Sequence, residues 1–216
     1  MPTIYADAED GYVSIFNNTT SWSSARDATS GTASGDSDAS RVAAVRAGKI
    51  PGRGGVTNWS VTRSFMFFDT SAISTPLDSC ELGIYGVTNG TGVMNVCKAT
   101  SDISTLTTAD FNSITGWSSG DNLNNVTLYT DSTVGSWSTS GYNTITLNRA
   151  AMDDITSNDA LYICILNHTY DLRDTEPTTG NEYLNGMYYA DNTGTSKDPY
   201  ISYELHSNSV FFGTNF

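Results

Sequence analysis

A chain of 216 residues with 38% hydrophobic and 11% aromatic content holds enough apolar side chain for a sizeable core, which excludes wholesale disorder. Only 15% of residues are charged, and 23 acidic against 10 basic side chains leave a formal charge of −13. Such a surface repels phosphate backbones and argues against nucleic-acid partners, while the absence of any apolar run near roughly 20 residues argues against membrane insertion.

The opening MPTIYADAEDGY has neither a basic n-region nor an apolar h-region, so no classical signal peptide is expected. Short β-like runs then follow one another, separated by Gly, Ser, Thr, Asn and Asp turns. Tyr12–Phe16 alternates. Arg41–Arg46 stops before Pro51-Gly52, and Arg63–Phe68 precedes Cys80–Tyr85, where Cys80, Leu82 and Ile84 share a face. Val93–Cys97, Val126–Tyr129, Tyr142–Leu147, Leu161–Leu166, Gly186–Ala190 and Tyr200–Leu205 complete the series. Period-2 alternation at this density predicts an all-β fold, an antiparallel β-sandwich of jelly-roll type. One or two short helical turns interrupt it, at Thr108–Ile114 and at Asn148–Ile155, the second with Asn148 as its cap.

Two runs carry more detail. Leu161–Leu166 is apolar on both faces, the pattern of a covered central strand. In RSFMFFDTSAI, alternation puts Arg63, Phe65, Phe67 and Asp69 on one face and Met66 and Phe68 on the other, so this strand too is expected to be covered on both sides. At about 3.3 Å per residue its two charges are too far apart to pair, and each is expected to tie down a neighbouring turn or strand. Asp69 before Thr-Ser suits a side-chain-to-backbone turn. No composition break marks a second domain, giving one domain over 1–205 and a tail or arm over 206–216. Cys80, Cys97 and Cys164 are odd in number and two lie in apolar runs, so reduced core thiols are expected.

Several of these runs are similar to one family. Ala6-Asp7-Ala-Glu-Asp-Gly-Tyr12-Val13, Arg63–Ile73, Cys80–Gly86, Thr107–Phe111, Tyr142–Asn148 and Asp198–Tyr203 resemble, in order, the motifs of the DNRLRE or disaggregatase-related β-jelly-roll modules. That group includes carbohydrate-binding modules and relatives among phage structural proteins. The resemblance implies a jelly-roll and, without a signal peptide, points towards the phage relatives.

The candidate sites are of four kinds. Trp117, Trp137, Tyr188 and Tyr189 lie among Ser, Thr, Asn and Gly, as do Trp22 and Trp59. They are candidates for stacking on sugar rings, although burial as core lids or subunit contacts is the commoner use of an indole. Asp171, Asp174 and Glu176 crowd one loop and Asp191 opens another oxygen-rich turn, a candidate set for structural Ca²⁺, with Arg173 as a competing neutraliser. Val210, Phe211, Phe212 and Phe216 form an apolar C-terminal stretch suited to docking on a neighbouring subunit. Asp110, Asp153, Asp154, Glu176 and Glu182 offer carboxylates for glycosidase chemistry, but none sits in a motif, and no H-E-x-x-H or P-loop is present.

The expected function is therefore a non-enzymatic virion structural protein: a capsid decoration, head-fibre or tail-associated subunit. Its expected partners are other virion proteins and copies of itself, a trimer by expectation, with a glycan ligand on the host surface. A secreted or surface carbohydrate-binding module is the alternative, and a polysaccharide-degrading enzyme the second alternative.

Overall fold

The computed structural model describes residues 1–18, 20–35, 37–100 and 105–207. In chain order the strands are β1 (Thr3–Tyr5), β2 (Gly11–Asn18), β3 (Ala33–Gly35), β4 (Ser40–Pro51), β5 (Thr57–Asp69), β6 (Leu77–Gly90), β7 (Met94–Lys98), β8 (Tyr142–Thr146), β9 (Ala160–Asn167), β10 (Asn181–Tyr188) and β11 (Tyr200–Leu205). All pairings between them are antiparallel. One layer runs β1-β11-β6-β8; the other runs β10-β4-β5-β2-β3, with β9 against β5 and β7 against β9. The long β6 pairs with both β11 and β10 and so belongs to both layers. The expected all-β antiparallel sandwich is the fold observed.

Alternation explains how the layers pack. Cys80, Leu82 and Ile84 of β6, Ile145 of β8 and Ile201 of β11 point inward against Met66 and Phe68 of β5, Ile163 and Ile165 of β9, and Met187 of β10. The opposite face of the larger layer is also covered. Val13, Ile15, Val61, Phe65, Cys164 and Leu166 meet Trp22, Phe111, Ile114, Val126 and Leu172 from the connecting segments. Thus β5 and β9 bury both faces, as their apolar runs require. Cys80, Cys97 and Cys164 are buried free thiols, and burial pushes Cys80 and Cys97 up to about 12, so neither is a nucleophile at neutral pH.

Some elements differ from expectation. Val126–Tyr129 forms no strand; Tyr129 donates one backbone hydrogen bond to Val96 (2.8 Å) and Leu128 bridges Cys97. The strand expected at Gly186–Ala190 spans Asn181–Tyr188, with a bulge where its partner register shifts. Helix α1 (Trp22–Arg26), capped by Ser21, and the π turn His168–Leu172 are additions that no apolar periodicity announced. Helix α2 (Arg149–Ser157) starts where Asn148 was expected to cap it, its side chain accepting from the Ala150 and Ala151 amides. The 3-10 turn Thr108–Asn112 is closed by Asp110, whose carboxylate accepts from the Thr107 amide and hydroxyl.

The charges of the β5 run have separate tasks, as the strand geometry demanded. Asp69 accepts from the Ser71 amide (3.0 Å) and hydroxyl (2.6 Å) and ends the strand. Arg63 is fully buried in the second core. Its Nε and Nη2 make a bidentate pair with the equally buried Asp171 (2.8 and 2.7 Å). Further donors reach the carbonyls of Phe111 (2.7 Å) and Arg26 (2.9 Å), and its guanidinium lies over the Phe111 and Trp117 rings at 4.2 and 4.0 Å. One side chain thereby joins a strand to three connecting segments. Arg26 lies beside it, donating from Nε to the Asp171 carbonyl (2.6 Å).

The N-terminal motif closes the other side. Asp10 is 1% exposed, and its carboxylate accepts the Ala190 amide into both oxygens at 3.1 Å. Burial, with Asp191, Asp198 and Asp7 adding repulsion, holds its carboxyl well above the ordinary range. A carboxyl whose native pKa exceeds its unfolded one contributes stability below the unfolded value and loses it as pH rises through the native value. Asp10→Asn, which keeps an acceptor for Ala190 and removes the titration, is therefore expected to unfold at higher denaturant than the parent at pH 7, the gap closing towards pH 4. A parent that stays equally or more stable than the variant at pH 7 would refute this.

Candidate functional site

The outer face of the β1-β11-β6-β8 layer carries the chain's most unusual surface. Inward Ile201 and Ile84 leave Tyr200 and Tyr85 on the outside of β11 and β6, and the same alternation turns Tyr5 and Tyr142 outward. Register then aligns them. Tyr5 stands opposite Tyr200, and Tyr85 opposite Tyr142. Between the pairs, Tyr200 faces Gly83, where a Cβ would come within 2.2 Å of the tyrosine ring. The missing side chain lets that ring lie across β6 and reach Tyr142, at 4.9 Å between centroids. Tyr188, at the end of β10, extends the row by meeting Tyr85 at 5.6 Å.

Five tyrosines thus touch in sequence: Tyr5, Tyr200, Tyr142, Tyr85 and Tyr188. Successive rings meet at 63–87°, so the row is corrugated rather than flat. Edge-to-face pairs of this kind hold each other in place by about 0.5–1.5 kcal/mol beyond area burial, which pre-organises the surface. At one end, Tyr5, Tyr142 and Tyr200 border an open cavity of about 490 Å³, whose other lining includes the hydroxyls of Thr3, Thr195, Ser196 and Ser202 and no carboxylate. At the other end the Lys197 ammonium lies 4.1 Å over Tyr188 and 5.4 Å over Tyr85, and donates to the Tyr188 hydroxyl at 3.0 Å. Tyr142 donates to the Asp198 carbonyl (3.1 Å); burial first, then nearby Tyr5 and Asp198, push its phenol up to about 12, so it stays neutral and a donor.

Of the sequence candidates for stacking, Tyr188 alone joins this row. Trp137 is 5% exposed and donates from Nε1 to the Gly186 carbonyl (2.9 Å); Tyr189 is 0% exposed and shares a hydrogen bond with Ser64 (2.7 Å). Neither presents a ring to a ligand. Trp117 is half-buried beneath Arg63 and Arg26, at 4.0 and 4.5 Å. Trp22 donates to Asp174 (3.0 Å), and Trp59 lies under Lys49. The polar sequence around these indoles reflects polar partners, not solvent. Tyr5, Tyr85, Tyr142 and Tyr200 were missed because each looks like an ordinary strand residue; the signal was their shared outward phase.

Of the calcium candidates, Asp171 and Asp174 both lie against Arg26 Nε, at 3.9 and 3.6 Å, and Glu176 and Asp191 lie elsewhere. Asp171 is neutralised by Arg63, Asp174 lies 3.6 Å from Arg26 Nε, and Glu176 lies 2.5 Å from Lys49 Nζ. Asp191 belongs to a separate loop, and Arg173 pairs with Asp121 (2.7 Å) rather than with the cluster. Among the described residues no three His, Cys, Asp or Glu side chains gather to hold a metal ion. The loop's carboxylates pair with Arg63, Arg26 and Lys49. Val210, Phe211, Phe212 and Phe216 lie outside the described residues.

The carboxylates considered for catalysis are each engaged. Asp110 closes its turn, Asp153 pairs with Arg149 (2.8 Å), Glu182 with Arg46, and Glu176 with Lys49. Asp154 borders a second cavity of about 460 Å³, yet its oxygens accept from Lys98 (2.9 and 2.8 Å), Tyr129 (2.6 Å) and Asn158 (3.2 Å). Burial opposes its charge, but those donors outweigh burial and hold its carboxyl below the ordinary value. A carboxylate so held is neither a raised-pKa acid nor a free base. His168 lies 2.6 Å from Asn95, its pKa lowered by burial and then by Arg173.

Compared with known proteins, the chain matches no family model and no curated protein.

Proposed function

We propose that this protein is a non-enzymatic β-sandwich subunit that binds a glycan on its tyrosine face. The contiguous row from Tyr5 to Tyr188 is the observation that carries this reading. Sugar rings pair apolar C–H faces with a rim of hydroxyls, and this surface pairs aromatic faces with phenol, Ser and Thr hydroxyls beside an open cavity. Its corrugation suits a single flexible oligosaccharide more than a flat crystalline polymer. The resemblance to phage structural proteins is the ground for placing this face on a virion, as a decoration, head-fibre or tail-associated subunit. In that setting the chain assembles with copies of itself, as a trimer, and with other virion proteins. A strict monomer by light scattering at high concentration would count against assembly, and depolymerisation of a polysaccharide against a non-catalytic role.

Glycan-array screening followed by calorimetry tests the binding reading. Tyr142→Ala, which removes the ring joining both halves of the row, is expected to weaken binding by about tenfold or more, since truncating a central aromatic anchor costs roughly 2 kcal/mol. Phe16→Ala, an exposed ring outside the row, is expected to leave affinity unchanged. Absence of any glycan ligand, or equal loss in both variants, would sink the proposal.

A further inference from the structure

The chain has three lysines. Lys49 and Lys98 each pair with a carboxylate, Glu176 and Asp154. Lys197 does not: its contacts among the described residues are the faces of Tyr85 and Tyr188 and the Tyr188 hydroxyl. An ammonium has three donors, and among the described residues one of them is used, on the Tyr188 hydroxyl. In a chain with 23 acidic residues, a lysine kept on an aromatic surface with no carboxylate partner among the described residues is conspicuous.

We infer that Lys197 makes the Tyr85–Tyr188 end of the face select a sugar unit bearing a carboxylate or sulfate, so that the ligand is an anionic oligosaccharide. This rests on the glycan-binding reading. The ring faces and the Tyr188 hydroxyl restrict the ammonium, so little side-chain entropy is lost when an anion arrives. Lys197 is half-buried, which makes a pair with it stronger than one at a fully exposed site. At physiological salt, charges more than about 8 Å from a bound anion are largely screened, so most of the formal charge of −13 does not oppose binding at Lys197.

The face also has a polarity. Glu81 lies opposite Ser202 and Thr146, four residues along β6 from Tyr85 and so roughly 13 Å away at the usual strand rise. A carboxylate there repels an anionic unit from the far end, while the cavity bordered by Tyr5, Tyr142 and Tyr200 takes the uncharged remainder through its hydroxyls.

The test is a glycan array carrying neutral, carboxylated and sulfated oligosaccharides. It is followed by calorimetry on two matched pairs: trigalacturonate with its methyl ester, and a sulfated carrageenan oligosaccharide with its desulfated form. The expected result is about tenfold tighter binding of the charged member in at least one pair, as charge-assisted hydrogen bonds provide. Which pair responds distinguishes carboxylate from sulfate. Lys197→Met is expected to erase the preference, whatever it does to the affinity for neutral sugars, and Lys197→Arg to retain it. Equal binding of charged and neutral members, or a preference that survives Lys197→Met, overturns the inference and leaves the glycan reading standing. Binding of no oligosaccharide on the array overturns both.

Discussion

Asp171→Ala is expected to destabilise the fold by about 3–5 kcal/mol, because it leaves the fully buried Arg63 guanidinium without its counter-charge. For a chain of this size, such a loss lowers the melting temperature by roughly 10 °C. Arg63 would retain its bonds to the carbonyls of Phe111 and Arg26 and its two flanking rings, but carbonyl dipoles do not replace a bidentate carboxylate. Arg26, which hydrogen-bonds the same residue through its carbonyl, would keep that contact if the π turn held. Denaturant unfolding is the direct measurement, and a cost below about 1 kcal/mol would show that the pair is not a stabilising junction. The companion is Arg63→Met with Asp171→Leu. Removing both charges from a dry site removes their desolvation cost as well, so the double variant is expected to recover much of what the single one loses.

Trp137→Ala is the second large effect, and it separates core from surface among the aromatic residues. Its indole packs in the inter-layer core and donates to the Gly186 carbonyl, where the β10 ladder changes register. Removing it opens a cavity and orphans a buried acceptor, an expected cost of about 3–5 kcal/mol. The folded fraction is expected to bind glycan normally, since no part of Trp137 belongs to the tyrosine row. Calorimetry below the variant's melting temperature reads that directly. A folded Trp137→Ala protein that had lost binding would mean the indole is part of the ligand site after all.

The contrast between these residues shows what local pattern could and could not announce. Asp69 before Thr-Ser and Asn148 before its helix were readable because their partners lie within three residues. The apolar phases of Leu161–Leu166 and of Phe65 to Phe68 were readable because strand geometry alone decides which face each side chain takes. Arg63 could be given a task, tying down another segment, but not a partner. Asp171 stands 108 residues away, and only packing decides that a loop carboxylate meets an arginine rather than a metal ion. Glu176 and Asp174 illustrate the same limit, as oxygen-rich turns claimed by Lys49 and by Trp22 and Arg26.

The tyrosine row divides along the same line. Alternation in β11 and β6, read from residues such as Ile201 and Ile84, sufficed to put Tyr200 and Tyr85 on a wet face; composition sufficed for the acidity, and period-2 patterning for an antiparallel sandwich. Those outcomes depend on near neighbours and on summed burial, both of which a single chain carries in full. That Tyr5, Tyr200, Tyr142, Tyr85 and Tyr188 touch in one line was decided by strand order and register. It also depended on Gly83 leaving space beneath a ring from a strand more than a hundred residues away. Such contacts follow from closing long loops, whose geometry no local pattern encodes, and they turn five ordinary strand residues into a surface able to recognise a ligand.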